Sequence, residues 1–344
     1  MTRPSIAVIG AGLIGQRHAR LVEDQARLAA VVDPAPEAQH LAHELGVPWA
    51  PDLAAYLDRH RPDGVIIATP NQLHRDNGLA CINAGIPILV EKPIADTTAA
   101  AHDLITAAKS AGVPVLVGHH RRHNPIIAAA HSAITAGDLG RIVSVHAQFW
   151  LYKPDDYFDT DWRRQAGAGP VFINLIHDID LLRYLCGEII TVQARQSSAT
   201  REHNVEDTAV ILLEFASGAL GTVNVSDTIT APWSWEMTAA ENPAYPVTRM
   251  DCYRIGGTHG SLSIPDMALW QHSGSRSWWS PIAAQTIFCD EGDPLKRQLD
   301  HFCDVIQGAA TPLVSGEQGL ATLQVIEAIK TAARTGQTVR LPGF

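Results

Sequence analysis

The stretch SIAVIGAGLIG, residues 5 to 15, predicts the fold of the first part of this chain. An apolar run typical of a buried strand leads directly into Gly10, Gly12 and Gly15, and a helical pattern follows at residues 13 to 26. Glycines with this G-x-G-x-x-G spacing allow a tight turn between strand and helix, and they let backbone N–H groups approach a pyrophosphate. The stretch therefore predicts a dinucleotide-binding turn.

Short apolar runs and helical stretches alternate from residue 5 to residue 118. The later runs are LAAVVD, GVIIAT, PILVE and VPVLVG. They are almost continuously apolar, as strands are when helices cover both faces of a parallel sheet. We expect an α/β Rossmann domain with a doubly wound parallel sheet over residues 1–121.

The pattern changes at about residue 122, after which strands follow one another. The predicted elements are helices at 125–136, 170–185, 293–307 and 316–334 and strands at 141–151, 189–197, 207–215 and 219–229. Ser217 and Gly218 separate the last two strands, which is a hairpin signal. We expect an α+β domain over residues 122–344 with a large, mainly antiparallel sheet and two closing helices within 293–334.

The composition argues against several classes of protein. The formal net charge is -10, and the 26 Lys and Arg residues are spread along the chain apart from HHRRH at 119–123, so nucleic acid is not an expected partner. We find no apolar run long enough for a membrane span and no signal-peptide pattern in MTRPSIAVIG. The five cysteines have no C-x-x-C spacing and fit reduced thiols. We expect a cytoplasmic protein with a small-molecule partner.

Asp33 ends the second predicted strand about 20 residues after the glycine turn, where an acidic side chain binds the adenosine ribose hydroxyls. Pro34 follows, and no arginine stands beside it to hold a 2′-phosphate. The sequence therefore favours NAD over NADP as the cofactor. A glycine turn without any ligand is the alternative.

Two further segments end strands at the carboxyl edge of the sheet, where the ligands of such sheets bind. In ATPNQLH, 68–74, the first residues are expected to line the cofactor, and His74 either reaches it or only caps and packs the next helix. In ILVEKP, 88–93, Lys92 can hold or polarise a substrate oxygen. The alternative for Glu91 and Lys92 is a surface ion pair at the end of a strand.

The segment GAGPVFINLIHDIDLLRYLCG, 167–187, puts Asn174 and His177 on one face of an apolar helix. Polar groups there need partners, which a substrate cleft supplies. A histidine can accept a hydroxyl proton and return it, so His177 is the candidate acid/base and Asn174 a candidate substrate ligand. A core histidine bonded to the backbone is the alternative.

Aromatic side chains in 149–165 and 230–246 suggest a ring-shaped substrate. Tyr152, Trp162 and Trp235 can pack against ring C–H groups, which suits a cyclic polyol or a sugar. Arg163 can instead clamp a carboxylate, which suits a carboxylated ring diol. Oligomer contact or core packing is the alternative for both segments.

The HHRRH segment raises the question of a metal site. No acid or cysteine nearby completes a ligand set, and consecutive histidines at a strand end point to opposite sides. We expect no metal there. Arg121 is expected near the cofactor or the substrate, because its segment follows the last strand of the first domain.

The chain resembles the glucose-fructose oxidoreductase / inositol dehydrogenase / rhizopine-catabolism (Gfo/Idh/MocA) family over nearly its whole length. The motifs that carry the resemblance are GAGLIG, ATPNQLH, EKP at 91–93, VGHHRRHNP, HDID at 177–180 and GTHGSL at 257–262. The resemblance implies hydride transfer at a secondary alcohol or its ketone, Lys92 as the substrate-oxygen lysine and His177 as the acid/base. It also implies a homodimer or homotetramer built through an open sheet in the second domain. Many members carry an aspartate four residues before the histidine, and this chain has Ile173.

These features together predict an NAD-dependent dehydrogenase acting on CH–OH groups. An NAD-dependent glycosidase that uses transient oxidation and a non-catalytic nucleotide-sensing regulator are the alternatives. The expected cofactor-binding residues are Gly10, Gly12, Leu13, Ile14, Gly15, Asp33, Thr69, Pro70, Asn71, His74, Glu91, Lys92 and Arg121. The expected substrate-binding residues are Lys92, Tyr152, Trp162, Arg163, Asn174, His177 and Trp235.

Overall fold

The structure is a computed structural model that describes residues 3–165 and 167–343. It divides the chain into two compact units. The first comprises the residues up to His123 together with Gly292–Leu323, and the second comprises Asn124–Glu291 and the residues from Gln324 onward.

Strands and helices alternate through the first part of the chain. The elements are β1 (Ser5–Ile9), α1 (Leu13–Gln25), β2 (Arg27–Val32), α2 (Pro36–Glu44), β3 (Trp49–Ala50), α3 (Leu53–Leu57), β4 (Gly64–Ile67), α4 (His74–Asn83), β5 (Ile88–Val90), α5 (Thr98–Ala111) and β6 (Val115–Val117). Short 3-10 turns at Asn71–Leu73 and His120–His123 follow β4 and β6.

Among the described residues, six strands form one parallel sheet in the order β3-β2-β1-β4-β5-β6. The predicted doubly wound parallel sheet is confirmed. The strands β1, β4, β5 and β6 are buried along their whole length, and Val65, Ile66 and Ile67 of β4 are fully enclosed. Each such side chain contributes about 1.5–3 kcal/mol by leaving water, which explains why these runs are apolar without interruption.

From Pro125 onward the elements are α6 (Pro125–Ala136), β7 (Ile142–Trp150), α7 (Pro170–Ile173), α8 (Leu175–Cys186), β8 (Ile189–Ser197), β9 (Thr208–Phe215), β10 (Leu220–Ser226), α9 (Trp235–Thr238), β11 (Tyr253–Gly257), β12 (Gly260–Ile264), β13 (Ala268–His272), β14 (Ile282–Thr286), α10 (Pro294–Ile306), α11 (Gly316–Thr335) and β15 (Val339–Arg340). The loop between β7 and α7 contains 3-10 turns at Asp155–Asp159 and Asp161–Arg164.

In the described part of the second unit, nine strands form a sheet in the order β14-β13-β12-β11-β7-β10-β9-β8-β15. All neighbouring pairs are antiparallel except β7 and β10, which run parallel. The predicted mainly antiparallel sheet is confirmed, and β9 and β10 pair across Ser217 and Gly218 as the hairpin signal indicated. Burial alternates along β9 and β10, so one face of the sheet carries the core.

The two closing helices are not both part of the second unit. The predicted second domain includes all of 293–334, whereas α10 and the first residues of α11 belong to the first unit. The reason is visible at Gly64 of β4, where an added Cβ would lie 2.4 Å from the Ile306 side chain and 3.2 Å from Phe302. The apolar face of α10 thus packs against the parallel sheet, a contact that helical periodicity alone does not assign.

None of the helices in 3–165 and 167–343 combines the length and the apolar character that crossing a membrane requires.

Candidate active site

The glycine turn between β1 and α1 has the shape that a pyrophosphate needs. Gly10 has φ +92°, and an added Cβ would lie 2.6 Å from the Ala68 carbonyl. A Cβ on Gly15 would lie 1.9 Å from the Gly10 oxygen, whereas Gly12 meets nothing within 4 Å. The first and third glycines are therefore required by packing, and the second leaves open space at the head of α1. That helix start has no side-chain cap and no acidic residue in its first turn, so it fits an anionic ligand.

Leu13 and Ile14 follow the open glycine. The Leu13 side chain is almost fully exposed, although it is large and apolar, while Ile14 is half-buried. Both stand in the first turn of α1, beside the open space at Gly12. Their placement is compatible with the cofactor-binding role predicted for them.

Asp33 stands at the end of β2 and is tied to the glycine turn. Its Oδ2 accepts a hydrogen bond from the Ala11 N–H at 2.8 Å, and its Oδ1 accepts one from the Ala35 N–H at 2.8 Å. The side chain is only partly buried, and each carboxylate oxygen keeps a lone pair for a hydroxyl group. The residues present therefore fit the ribose of an NAD molecule.

The segment after β4 lies at the same edge of the sheet. Thr69 and Asn71 are half-buried and Pro70 is exposed, and the Thr69 hydroxyl accepts a hydrogen bond from the Asn77 side chain at 3.3 Å. His74 is buried, and its two ring nitrogens lie 2.9 Å from the Pro93 carbonyl and 2.8 Å from the Thr69 carbonyl. Burial lowers the pKa of His74, and the two carbonyls oppose that change. The ring is thus engaged by the backbone, as in the packing alternative for this residue.

Glu91 and Lys92 follow β5 at the carboxyl edge, and the Lys92–Pro93 peptide bond is cis. Lys92 is half-buried, whereas Glu91 is only 6% exposed. Burial alone would raise the pKa of Glu91, but the hydrogen bond and charge of His18, with the charges of His120 and Lys92, lower it to about 2. Glu91 is therefore an internal carboxylate bound to His18, and the alternative of an exposed surface ion pair does not describe it.

Arg121 follows β6 in the turn His120–His123. It is buried, and so are its neighbours Arg122 and His123. Arg122 donates to the Gln318 side chain at 3.2 Å, and the His123 ring lies 5.2 Å from that of His301. The basic segment is thus part of the interior of the first unit.

The helix that carries His177 is broken. The sequence predicts one helix over 170–185, but α7 ends at Ile173 and α8 begins at Leu175, with Asn174 at the joint. The Asn174 carbonyl accepts from the His177 N–H at 3.1 Å. Its side-chain Oδ1 is buried and has no donor among the residues that the structure describes. A buried acceptor of this kind suits the hydroxyl of a ligand.

The charged residues after His177 have structural partners. Asp178 accepts a hydrogen bond from the Tyr253 hydroxyl. Arg183 binds Glu188 with two hydrogen bonds, of 2.9 and 2.8 Å. These contacts tie α8 to its surroundings in the second unit.

The aromatic loop between β7 and α7 exposes two of the predicted ligand side chains, because Tyr152 is 47% and Trp162 55% exposed. Arg163 lies over the Tyr157 ring at 4.2 Å and donates to the Tyr157 carbonyl at 2.8 Å. Its guanidinium is therefore already partly engaged within the loop.

Trp235, predicted to bind substrate, belongs to the core of the second unit. It is 1% exposed, stacks on Tyr253 with ring centres 6.0 Å apart, and donates its indole N–H to Glu241 at 2.9 Å. Trp235 follows Ser234, the N-cap of α9. The sequence around it does not distinguish an aromatic side chain that faces a cleft from one that packs in the core. Core packing, the alternative named for this segment, is what the contacts show.

A buried charge cluster that was not predicted from the sequence contacts the aromatic loop. The Lys153 ammonium lies 3.4 Å from the Asp227 carboxylate. Arg201 donates to the carbonyls of Lys153 and Asp227 at 2.6 and 2.8 Å. Burial lowers the pKa of Lys153 and raises that of Asp227. Arg201, His203 and Tyr152 also line a cavity of about 430 Å³. The signal in the sequence that could have indicated this cluster is Lys153, a lysine within an aromatic run.

Two family models match the chain. The first is described as an oxidoreductase family with an NAD-binding Rossmann fold and matches residues 5–119. The second is the GFO/IDH/MocA C-terminal domain and matches residues 127–263. The prediction of an NAD-binding domain in the first part of the chain is confirmed by the first match.

Characterised proteins resemble the chain over most of its length. The scyllo-inositol 2-dehydrogenase (NAD(+)) of Bacillus subtilis strain 168 is 29% identical, covering 97% of this chain and 95% of the relative. The 1,5-anhydro-D-fructose reductase of Ensifer adhaerens is 28% identical, covering 81% and 80%. The WlbA dehydrogenase from Bordetella pertussis, solved with NADH and UDP-GlcNAcA, is 25% identical, covers 99% of each chain and has a TM-score of 0.79.

Proposed function

Because the chain belongs to the Gfo/Idh/MocA family of oxidoreductases, we propose that it is an NAD-dependent dehydrogenase for a secondary alcohol on a small ring. The substrate class is a cyclic polyol, a sugar or a carboxylated ring diol, or the corresponding ketone in the reverse direction. The named relatives support this class, since one acts on an inositol and another is a reductase of an anhydro-sugar.

The place of Lys92 carries the proposal. It follows β5 at the carboxyl edge of the parallel sheet, the edge that also holds the glycine turn and Thr69. Ligands of such sheets bind at this edge. The Lys92 ammonium would bind the substrate oxygen and stabilise the negative charge that develops on it.

His177 would take the hydroxyl proton of the alcohol and return it in the reverse direction. Bound NAD supplies the hydride acceptor. The buried Oδ1 of Asn174 would accept a hydrogen bond from a neighbouring hydroxyl of the substrate. Ile173 leaves no carboxylate at the position where many relatives have an aspartate, so proton transfer rests on His177.

Tyr152 and Trp162 are the side chains proposed to pack against the ring of the substrate, because both are exposed. Arg163 remains a candidate for a substrate carboxylate, but only if it leaves the Tyr157 ring. Trp235 is not part of this proposal, since it lies in the core.

The proposal is tested by following NADH formation with a panel of inositols, aldoses and carboxylated ring diols. Lys92→Ala should lower kcat/KM by about 100- to 1,000-fold, the usual loss when one donor to a developing oxyanion is removed. NAD binding should persist. His177→Gln should lower kcat by about 100- to 10,000-fold. Lys109→Ala, at an exposed lysine of α5, is the control and should match the wild type.

Three results would contradict the proposal. An unchanged rate in Lys92→Ala would remove Lys92 from the chemistry. Sugar cleavage without net NADH formation would point to the glycosidase alternative. Tight NAD binding with no turnover of any compound in the panel would point to the nucleotide sensor.

A further inference from the structure

A buried histidine holds the residue before Lys92. His18 lies on α1 and is 1% exposed, and its Nε2 is 2.8 Å from the Glu91 Oε1. The other oxygen of Glu91 accepts from the Lys92 N–H at 3.2 Å. The carboxylate therefore links the helix of the glycine turn to the backbone of Lys92.

The sheet and Gly118 fix the position of Glu91. Its N–H donates to the Ile67 carbonyl at 2.9 Å, so its backbone is part of the sheet. Gly118 lies against it, and a Cβ there would come within 2.9 Å of the Glu91 Cα and carboxylate. A buried carboxylate is stable only with a partner, and His18 is that partner.

A second buried histidine holds the residue after Lys92. His74 is also 1% exposed, and its ring bridges the carbonyls of Pro93 and Thr69. A neutral imidazole donates to one of these carbonyls, and the charged form donates to both. The ring thereby joins the segment after β4 to the segment after β5.

We propose that His18 and His74 are positioning residues that fix Lys92 from both sides. This inference rests on the proposed function of Lys92 and deepens it. His18 lies on α1, which follows the glycine turn, and His74 begins α4 and contacts the Thr69 carbonyl. The two histidines therefore connect the neighbours of Lys92 to the helix of the glycine turn and to Thr69. Neither histidine is proposed to exchange a proton with the substrate.

The experiment compares His18→Ala and His74→Ala with His102→Ala, an exposed histidine of α5, as the matched control. All are assayed where circular dichroism shows them folded, with the panel alcohol that the wild type turns over fastest. We expect kcat to fall by about 10- to 100-fold in both variants, because small displacements of a reacting group have effects of this size. The dissociation constant of NADH, from quenching of tryptophan fluorescence, should change by less than about threefold. His18→Gln, which restores a donor to Glu91, should recover part of kcat.

Gly118→Ala tests the same contact without altering a histidine. The added methyl displaces the Glu91 carboxylate, so kcat should fall as it does in His18→Ala. Gly274→Ala is the control, since a Cβ there meets nothing within 4 Å and the backbone is not left-handed. In the Lys92→Ala background, His18→Ala should cause no further loss of kcat, because it acts through Lys92.

A second measurement does not depend on turnover. Competitive acetylation followed by mass spectrometry reports the reactivity of each lysine. The reactivity of Lys92 should change by more than about threefold in His18→Ala and His74→Ala, while that of Lys109 stays constant. Unchanged Lys92 reactivity together with wild-type kcat in folded variants would overturn the inference. Altered Lys92 reactivity in a protein that oxidises no panel alcohol would support the inference and refute the proposed function alone.

Discussion

Asp33 combines two tasks in one carboxylate. It closes the glycine turn through the Ala11 N–H, and it holds its own segment through the Ala35 N–H. The side chain is half-buried, and its carboxylate is the group predicted to bind the ribose hydroxyls of NAD. A 2′-phosphate at that place would meet the negative charge of the carboxylate, and Pro34 provides no cation to offset it.

Asp33→Ala is expected to weaken NADH binding by about 10- to 100-fold, since a hydrogen bond to a charged group contributes about 1.5–3 kcal/mol. NADPH binding should change less or improve, because the repulsion of its phosphate is removed. Fluorescence titration with both cofactors measures the ratio, and Asp58→Ala, at an exposed aspartate after α3, is the control. A wild type that prefers NADPH would contradict the assignment of Asp33.

Glu91 shows how far residue identities in the sequence can lead. The EKP motif placed Lys92 at the edge of the sheet, because a proline after an apolar strand ends the strand locally. The EKP motif did not indicate that Glu91 is buried, because its partner His18 is 73 positions away in the chain. A contact between residues so far apart in the chain depends on how the helices and strands pack together.

At the scale of elements, Glu206 contacts the start of α7, which is the first part of the helix predicted over 170–185. Glu206, just before β9, accepts a hydrogen bond from the Val171 N–H at 3.2 Å. Burial raises the pKa of Glu206, and its hydrogen bonds and Lys330 oppose that shift. A Cβ on Gly169 would lie only 2.2 Å from the Glu206 carboxylate. Gly169 is therefore required by the close approach of Glu206 and not by its backbone angles.

Gly169→Ala is expected to lower the free energy of unfolding by about 1–3 kcal/mol, the usual effect of overpacking. Glu206→Ala removes the obstacle, so the double variant should lose less stability than the sum of the two single variants. Urea unfolding followed by circular dichroism measures all three, with Gly274→Ala as the control for adding a methyl group. Additive losses would show that Gly169 and Glu206 do not interact as described.

Element prediction succeeded where the signal was local. Alternating apolar runs and helices define the parallel sheet, and Ser217-Gly218 marks the hairpin of β9 and β10. The break at Asn174 was missed, because nothing in the apolar pattern of 170–185 interrupts a helix. The strands β11 to β14 were also not predicted, since they are short and lie in a segment rich in glycine and serine.

At the scale of the whole molecule, the core packs on one face of the large sheet, and within residues 3–165 and 167–343 the other face carries exposed apolar side chains. Exposed apolar side chains on neighbouring strands include Val210 and Leu212 of β9 and Leu220 of β10, the last being 61% exposed. Trp270 of β13 is exposed as well. Apolar patches of this kind mark contact surfaces in many proteins, so we propose this patch as the contact of the predicted homo-oligomer.

We expect the wild type to sediment as a dimer or a tetramer, and the variant Leu212→Asp/Leu220→Asp to sediment as a monomer, because unpaired charges are costly inside an interface. Val247→Asp, at an exposed valine in the loop before β11, is the control and should leave the assembly unchanged. Analytical ultracentrifugation at several concentrations provides the measurement. A monomeric wild type would refute the prediction.

The sequence by itself determined the parallel sheet and the glycine turn of the first unit, and it placed Asp33 and Lys92 just after strands of that sheet. These follow from periodicity and turn residues within short windows, which local sterics and burial dictate. Only the tertiary structure decided that α10 packs on the first unit, that Trp235 lies in the core, and that His18 binds Glu91. Such choices depend on which distant apolar faces and buried charges meet, and the free energy of those contacts exists only when the chain is folded.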